Sequence, residues 1–147
     1  MSATLWLWTS TLLLTFTSIA IANEDVALFD STGKAMSYIA LDDEMTIYLW
    51  GGKPVAYLEQ DSESGYHVYG FNGKHLGWFD KGAIWGHDGK VACAVKEVLN
   101  STQYEPYKAY KQYRPYKAYK QYAPNRPYIS NTFSDKPCSF LLGEGGK

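Results

Sequence analysis

The stretch Ile47-Tyr48-Leu49-Trp50-Gly51-Gly52-Lys53-Pro54-Val55-Ala56-Tyr57-Leu58 decides the fold. Two short apolar and aromatic runs flank a Gly-Gly pair, the arrangement of two β-strands joined by a tight turn. The unit recurs along the chain. Gly-Lys stands at Gly33-Lys34, Gly52-Lys53, Gly73-Lys74 and Gly89-Lys90, and with these glycines in register the flanks agree. Five residues before each glycine lies an aliphatic: Leu28, Ile47, Val68, Ile84. Four before lies an aromatic: Phe29, Tyr48, Tyr69, Trp85. Four after lie the small residues Ser37, Ala56, Gly77 and Cys93. Tyr38, Tyr57, Trp78 and the exception Ala94 come next, then Ile39, Leu58, Phe79 and Val95.

Each unit therefore predicts a β-hairpin. Thr32-Gly33, Gly51-Gly52, Asn72-Gly73 and Asp88-Gly89 suit a type I′ turn, which needs positive φ at both central residues. Such a turn places the first-strand aromatic opposite a residue near the small column, and the aliphatic near the second aromatic. A lone hairpin is marginal in water, so the four must share one core. No helical periodicity occurs between Val26 and Val95, and the fold class is all-β.

Ile47 to Tyr57, Tyr69-Gly70-Phe71-Asn72-Gly73-Lys74-His75-Leu76-Gly77-Trp78-Phe79, and Trp85-Gly86-His87-Asp88-Gly89-Lys90 resemble the four-fold β-flower family. The resemblance covers residues 26–95 and extends more loosely into the tail. It implies a shallow, pseudo-four-fold barrel of four tandem hairpins and a bacterial source, and it supplies no activity or catalytic residues. A weaker similarity is to the aromatic and glycine hairpin repeats of bacterial cell-wall-binding modules, whose second strand carries a more regular Trp-Tyr pair.

Outward from the hairpins the chain changes twice. Residues 1–22 carry no charged side chain and end Ala20-Ile21-Ala22, a pattern that reads as a signal peptide cleaved after Ala22. The apolar run is also long enough for an uncleaved N-terminal anchor. Either reading makes the protein exported: secreted, periplasmic or held in the cell envelope. The expected organisation is a leader over 1–22, a hairpin domain over 23–99 and a tail over 100–147. Of the 147 residues two are cysteines, Cys93 and Cys138, so one disulfide is possible; a small buried Cys93 is the alternative.

In the tail, tyrosine recurs at every third position: Tyr104, Tyr107, Tyr110, Tyr113, Tyr116, Tyr119 and Tyr122. Lys108, Lys111, Arg114, Lys117 and Lys120 follow them, and Pro106, Pro115 and Pro124 mark a higher repeat of nine. Three residues per turn is the polyproline-II period, which puts the tyrosines on one edge and the cations on another. The expectations are a polyproline-II-like ribbon, a disordered extension, or a ribbon lying on its own domain. Residues 23–103 hold 12 acidic and 6 basic side chains, and residues 104–147 hold 3 and 8. This split points either to that self-docking or to a polyanionic partner.

Catalytic and metal-binding patterns are thin. His67, His75 and His87 fall in unrelated repeat columns and read as polar hairpin positions, so neither a catalytic residue nor a metal or other cofactor is expected. The expected function is that of an exported, non-enzymatic binding or scaffolding module. Its tail, through Tyr107, Lys108, Tyr110, Lys111, Tyr113, Arg114, Tyr116, Lys117, Tyr119 and Lys120, would contact an anionic envelope polymer, a membrane surface or a protein partner. The alternative is a small apolar or lipid-like ligand in an aromatic interior formed by Tyr48, Trp50, Trp78 and Trp85. Nucleic-acid binding by the tail is a third reading, against which export argues.

Overall fold

The computed structural model describes Thr15 and residues 25–147. The expected leader, apart from Thr15, and its cleavage site lie outside the described residues. Among the described residues no helix is long and apolar enough to cross a membrane.

Eight strands follow one another: β1 Val26–Phe29, β2 Ala35–Ala40, β3 Thr46–Leu49, β4 Pro54–Gln60, β5 Tyr66–Gly70, β6 His75–Asp80, β7 Ala83–Trp85 and β8 Val91–Ala94. Every neighbour is antiparallel, and β8 returns to β1 through Phe29 and Ala94, closing the barrel. Closure leaves no sheet edge to pair with another chain.

The Gly-Lys turns differ from expectation. Asp30 N donates to Lys34 O at 2.9 Å and Gly33 N to Asp30 O at 3.0 Å, and the same pattern recurs from Leu49, Gly70 and Gly86. Each loop thus has three residues, of which the last, a glycine, has φ between 74° and 92°. The residue before it does not, so these are not type I′ turns. They are three-residue loops with a left-handed glycine and an adjoining bulge. Asp30, Asn72 and Asp88 hold them by accepting from the amides of Lys34, Lys74 and Lys90, each at 3.0 Å. The two-residue turn with both φ positive lies instead at Lys81-Gly82, between Asp80 and Ala83.

The bulge sorts the side chains. Each aliphatic faces the small column directly: Leu28 with Ser37, Ile47 with Ala56, Val68 with Gly77, Ile84 with Cys93. Each aromatic faces a residue beside the turn: Phe29 with Ala35, Tyr48 with Pro54, Tyr69 with His75, Trp85 with Val91. The intervening residues, among them Val55, Leu76 and Ala92, join the small column in facing the core. One aliphatic cluster draws on all eight strands, from Leu28 through Ile39, Ile47, Val55, Val68, Leu76 and Ile84 to Cys93, and therefore fills the barrel.

The far end of the chain completes this core. Helix α1 Cys138–Gly143 buries Cys138 and Leu142 fully, and both belong to the same cluster as Leu28. The small column makes room for it: Ser37 Oγ lies 3.7 Å from Cys138 Sγ, and Cys93 and Cys138 form a disulfide with Cα atoms 5.2 Å apart. The following 3-10 turn, Glu144–Gly146, caps the Gly-Lys end, where Asn72 Nδ2 donates to Glu144 O at 2.7 Å. The boundary expected at 99/100 does not separate two bodies, because residues from both sides of it share one core.

Candidate functional site: a belt around the barrel

Between Asn100 and Phe133 the chain forms neither helix nor strand, and it is not a free extension. It runs around the barrel and bonds to the four Gly-Lys turns in order. Gln103 N donates to Gly33 O at 2.8 Å, Gln112 N to Gly52 O at 2.9 Å, Gln121 N to Gly73 O at 2.8 Å and Ser130 N to Gly89 O at 2.9 Å. These donors are nine residues apart, so the nonapeptide repeat of the tail and the hairpin repeat of the barrel are in step. A Cβ on any of these four glycines would collide with belt backbone. The glycine column therefore serves both the turn and the close approach of the belt.

Barrel side chains supply further ties. Trp50 Nε1 donates to Pro106 O at 3.0 Å, Tyr69 OH to Gln121 O at 3.1 Å and Trp85 Nε1 to Ser130 O at 2.9 Å. The aromatic column thus lies on the outside of the wall, beneath the belt. This corrects the expectation of an aromatic interior: Tyr48, Trp50, Trp78 and Trp85 do not line a ligand cavity in the barrel, whose inside is aliphatic and filled. The alternation along each strand, combined with the bulge, sends the aromatics out.

The belt's cations turn inward. Lys108 lies 2.9 Å from Asp25 and Lys111 3.4 Å from the same carboxylate. Arg114 meets Asp43 at 3.2 Å and Glu44 at 2.8 Å, Lys117 reaches Glu44 at 3.7 Å, and Lys120 pairs with Glu59. Arg126 bridges Asp61 and Asp80, each at 3.2 Å. Several of these cations also sit over the outer aromatics: Lys108 is 4.4 Å from the Tyr38 ring centroid and Lys117 is 4.3 Å from that of Tyr57. The Arg114 hydrogen bond holds Glu44 below the usual carboxylate range, and the Glu59 hydrogen bond raises Lys120. Burial, then Asp25 and Asp43, push the Tyr38 phenol up to about 12. The tail cations expected to meet an external polyanion are thus paired with carboxylates of the barrel. The acidic excess of the barrel and the basic excess of the belt are largely spent on each other.

The tyrosines turn outward. Tyr104, Tyr107, Tyr110, Tyr113, Tyr116, Tyr119, Tyr122 and Tyr128 are between 92 and 101% exposed. One edge carrying all the tyrosines and another the cations is the sorting that a three-residue period produces.

The three histidines, unrelated by repeat column, form a chain. His67 Nδ1 lies 3.0 Å from His75 Nε2, and His75 Nδ1 lies 2.8 Å from His87 Nε2. Asp61 stands 3.5 Å from His67 Nε2. With a proton on His67 Nε2 facing Asp61, the geometry has His75 Nε2 donating to His67 Nδ1 and His87 Nε2 donating to His75 Nδ1. His75 is 3% exposed, and burial, followed by the nearby His87 and His67, lowers its pKa to about 4. Its amide also donates to Gln121 Oε1 of the belt at 3.1 Å. Asp61 and His67 open onto a groove of about 1080 Å³ between the barrel and the belt, floored by Tyr69 and Trp78 and walled by Lys120 and Arg126. Among the described residues no group of three or more His, Cys, Asp or Glu side chains is placed to hold a metal ion.

No curated protein and no solved structure matches the chain. A family model described as 4-fold beta flower protein matches residues 26–142, so the match includes the eight strands, the belt and α1 as far as Leu142. By that match, and by its closed barrel of four successive hairpins, the chain belongs to the 4-fold beta flower protein family.

Proposed function

We propose that the protein is an exported, non-enzymatic binding or scaffolding module whose contact surface is the outward tyrosine edge of the belt. The observation that carries this reading is the full exposure of eight tyrosines on a segment fastened to the barrel at every hairpin. Tyrosine offers a large apolar face and a hydroxyl at low cost in conformational entropy, which is why it is favoured at binding surfaces. Large aromatics left in water on an otherwise bonded segment are a signature of a surface meant to be covered.

Two features support the export part. The apolar N-terminal sequence reads as a leader, and a disulfide that joins α1 to the barrel suits an oxidising compartment. The inward cations count against a polyanion or nucleic acid as the principal partner. The aliphatic filling of the barrel counts against a small ligand inside it.

The test is co-sedimentation of the full chain with isolated cell envelopes over a salt series. The expected result is capture that persists at high salt and is weakened when Tyr107, Tyr110, Tyr113 and Tyr116, four of the eight exposed tyrosines, are replaced by serine. Capture unchanged by those replacements, or abolished by salt, overturns the reading.

A further inference from the structure

We infer that the tyrosine edge binds an extended polysaccharide and that one molecule bridges several polymer strands. This rests on the reading of the belt as the contact surface and names the partner. The outer edge has the chemistry for it. It presents phenol rings, while Lys108, Lys111, Arg114, Lys117, Lys120 and Arg126 are all engaged with barrel carboxylates. A flat aromatic face stacks on the C–H face of a pyranose ring, and the hydroxyl beside it bonds to sugar hydroxyls. Neither contact needs a net charge on the polymer.

Successive tyrosines are three residues apart in sequence, so phenols recur at a regular interval along the belt, as equivalent sugars recur along a polymer.

The ring shape of the belt favours a polymer over a lipid surface. The belt bonds in turn to Gly33, Gly52, Gly73 and Gly89, which lie on four successive hairpins of a closed barrel. Its tyrosines therefore face outward in different directions around the molecule. A flat lipid surface meets one sector of such a ring at a time. Separate polymer strands can occupy several sectors together, and many weak contacts then add through effective concentration. The same ring gives a scaffold that ties strands to one another.

The experiment uses the full chain with insoluble chitin and cellulose as probes, and soluble glycol chitin to read bridging. Vesicles of neutral lipid, with and without an anionic lipid, form the comparison arm. Capture on a β-1,4-linked polymer that is insensitive to salt is expected, weakened about tenfold or more when Tyr107, Tyr110, Tyr113 and Tyr116 become serine. The four corresponding phenylalanine replacements should keep most of the capture. Glycol chitin should turn turbid at intermediate protein ratios and clear at excess, the mark of bridging. Because these side chains lie wholly in solvent, the serine variant should unfold at the same temperature as the parent, which separates lost binding from lost fold.

Absence of capture on both polymers, capture unchanged in the serine variant, or capture by vesicles alone overturns the inference. If envelope binding weakens in the serine variant while the purified polymers never bind, the partner class fails and the contact surface stands. If envelope binding is unchanged in the variant, both fail together.

Discussion

The belt is held in two different ways at two parts of the barrel. At the second and third hairpins it carries Lys111, Gln112, Pro115 and Lys120, Gln121, Pro124, and its grip is made of backbone hydrogen bonds, ion pairs and cations over aromatic rings. At the fourth hairpin the same three columns hold Ile129, Ser130 and Phe133. There Ile129 and Phe133 pack with Leu99 against Trp85, Val91 and Ala94, and Phe133 forms a bridge with Val91. A few residues later Cys138 and Leu142 enter the core. Apolar burial is indifferent to salt, whereas exposed ion pairs are screened by it. The chain thus has a dry anchor at its C-terminal end and a wet, divisible fastening along the ring.

The strongest way to break this comparison is to remove the anchor. The Cys93–Cys138 bond spans a sequence separation of 45 residues. Closing a loop of that length contributes about 4 kcal/mol in the chain-entropy account. The double variant Cys93→Ser, Cys138→Ser should lower the denaturation midpoint accordingly. Leu142→Ala, which empties a fully buried site, should cost about 2–5 kcal/mol. If either change leaves global stability intact, the wet part of the belt holds itself and the anchor is redundant.

Acid should attack the ring beside the third hairpin. The folded pKa of His75, about 4, is below its ordinary value of 6.5, so the unfolded chain takes up a proton that the native chain refuses. Stability is therefore lost as pH falls from about 6.5 toward 4, by an amount on the order of 3 kcal/mol, and changes no further from this group below that. His87, whose pKa burial also lowers, is bonded to His75, so the transition belongs to this pair and not to His75 alone. His75→Gln should flatten the acid limb of the stability curve. Hydrogen exchange should show the Gln121 amide opening in acid before that of Ser130; simultaneous opening would mean that the two fastenings are not separable.

A glycine pair sharpens the same contrast. Gly73 has φ +87°, and a Cβ there would strike the backbone of Tyr119, so Gly73→Ala is expected to unseat the belt locally at a cost of about 1–3 kcal/mol. At Gly51 φ is not positive and a Cβ meets nothing within 4 Å. Gly51→Ala should be close to neutral in the same thermal melt. Equal effects would show that neither the left-handed φ nor the belt contact at Gly73 carries a penalty of its own.

Much of this architecture is legible in the order of the residues. The Gly-Lys register places the hairpins, the aliphatic column marks the core, and the period of three separates tyrosines from cations. The bulge is not legible, because Asn-Gly and Asp-Gly serve both a two-residue and a three-residue loop. Its consequence is local but large. In a two-residue turn His75 would sit opposite Gly70, on the Val68 face; the bulge pairs it with Tyr69 and turns it outward toward His67. The histidine chain is hidden for that reason. The nine-residue repeat and the four turns are both visible, yet nothing in one dimension says that one repeat reaches from one turn to the next. That match is a property of the barrel's circumference.

The smallest expected effect is also the most selective. Arg114 reaches both Asp43 and Glu44, and Lys117 shares Glu44, so Arg114→Gln with Lys117→Gln removes the ion pairs that the belt makes between its ties to the second and third hairpins. These groups are exposed, and single surface pairs contribute little, so the global melting temperature should barely move. The local change is different. The Gln112 and Ala118 amides bond to Gly52 and Phe71 on either side of the removed pairs, and their exchange should quicken in the variant. In the parent the same amides should quicken as salt rises, while Ser130 and Ser134, bonded beside Phe133, stay slow at every salt concentration. An even response along the whole belt would show one cooperative fastening. An uneven one places the salt-sensitive link where the side chains put it, at the stretch that carries Tyr113 and Tyr116 outward.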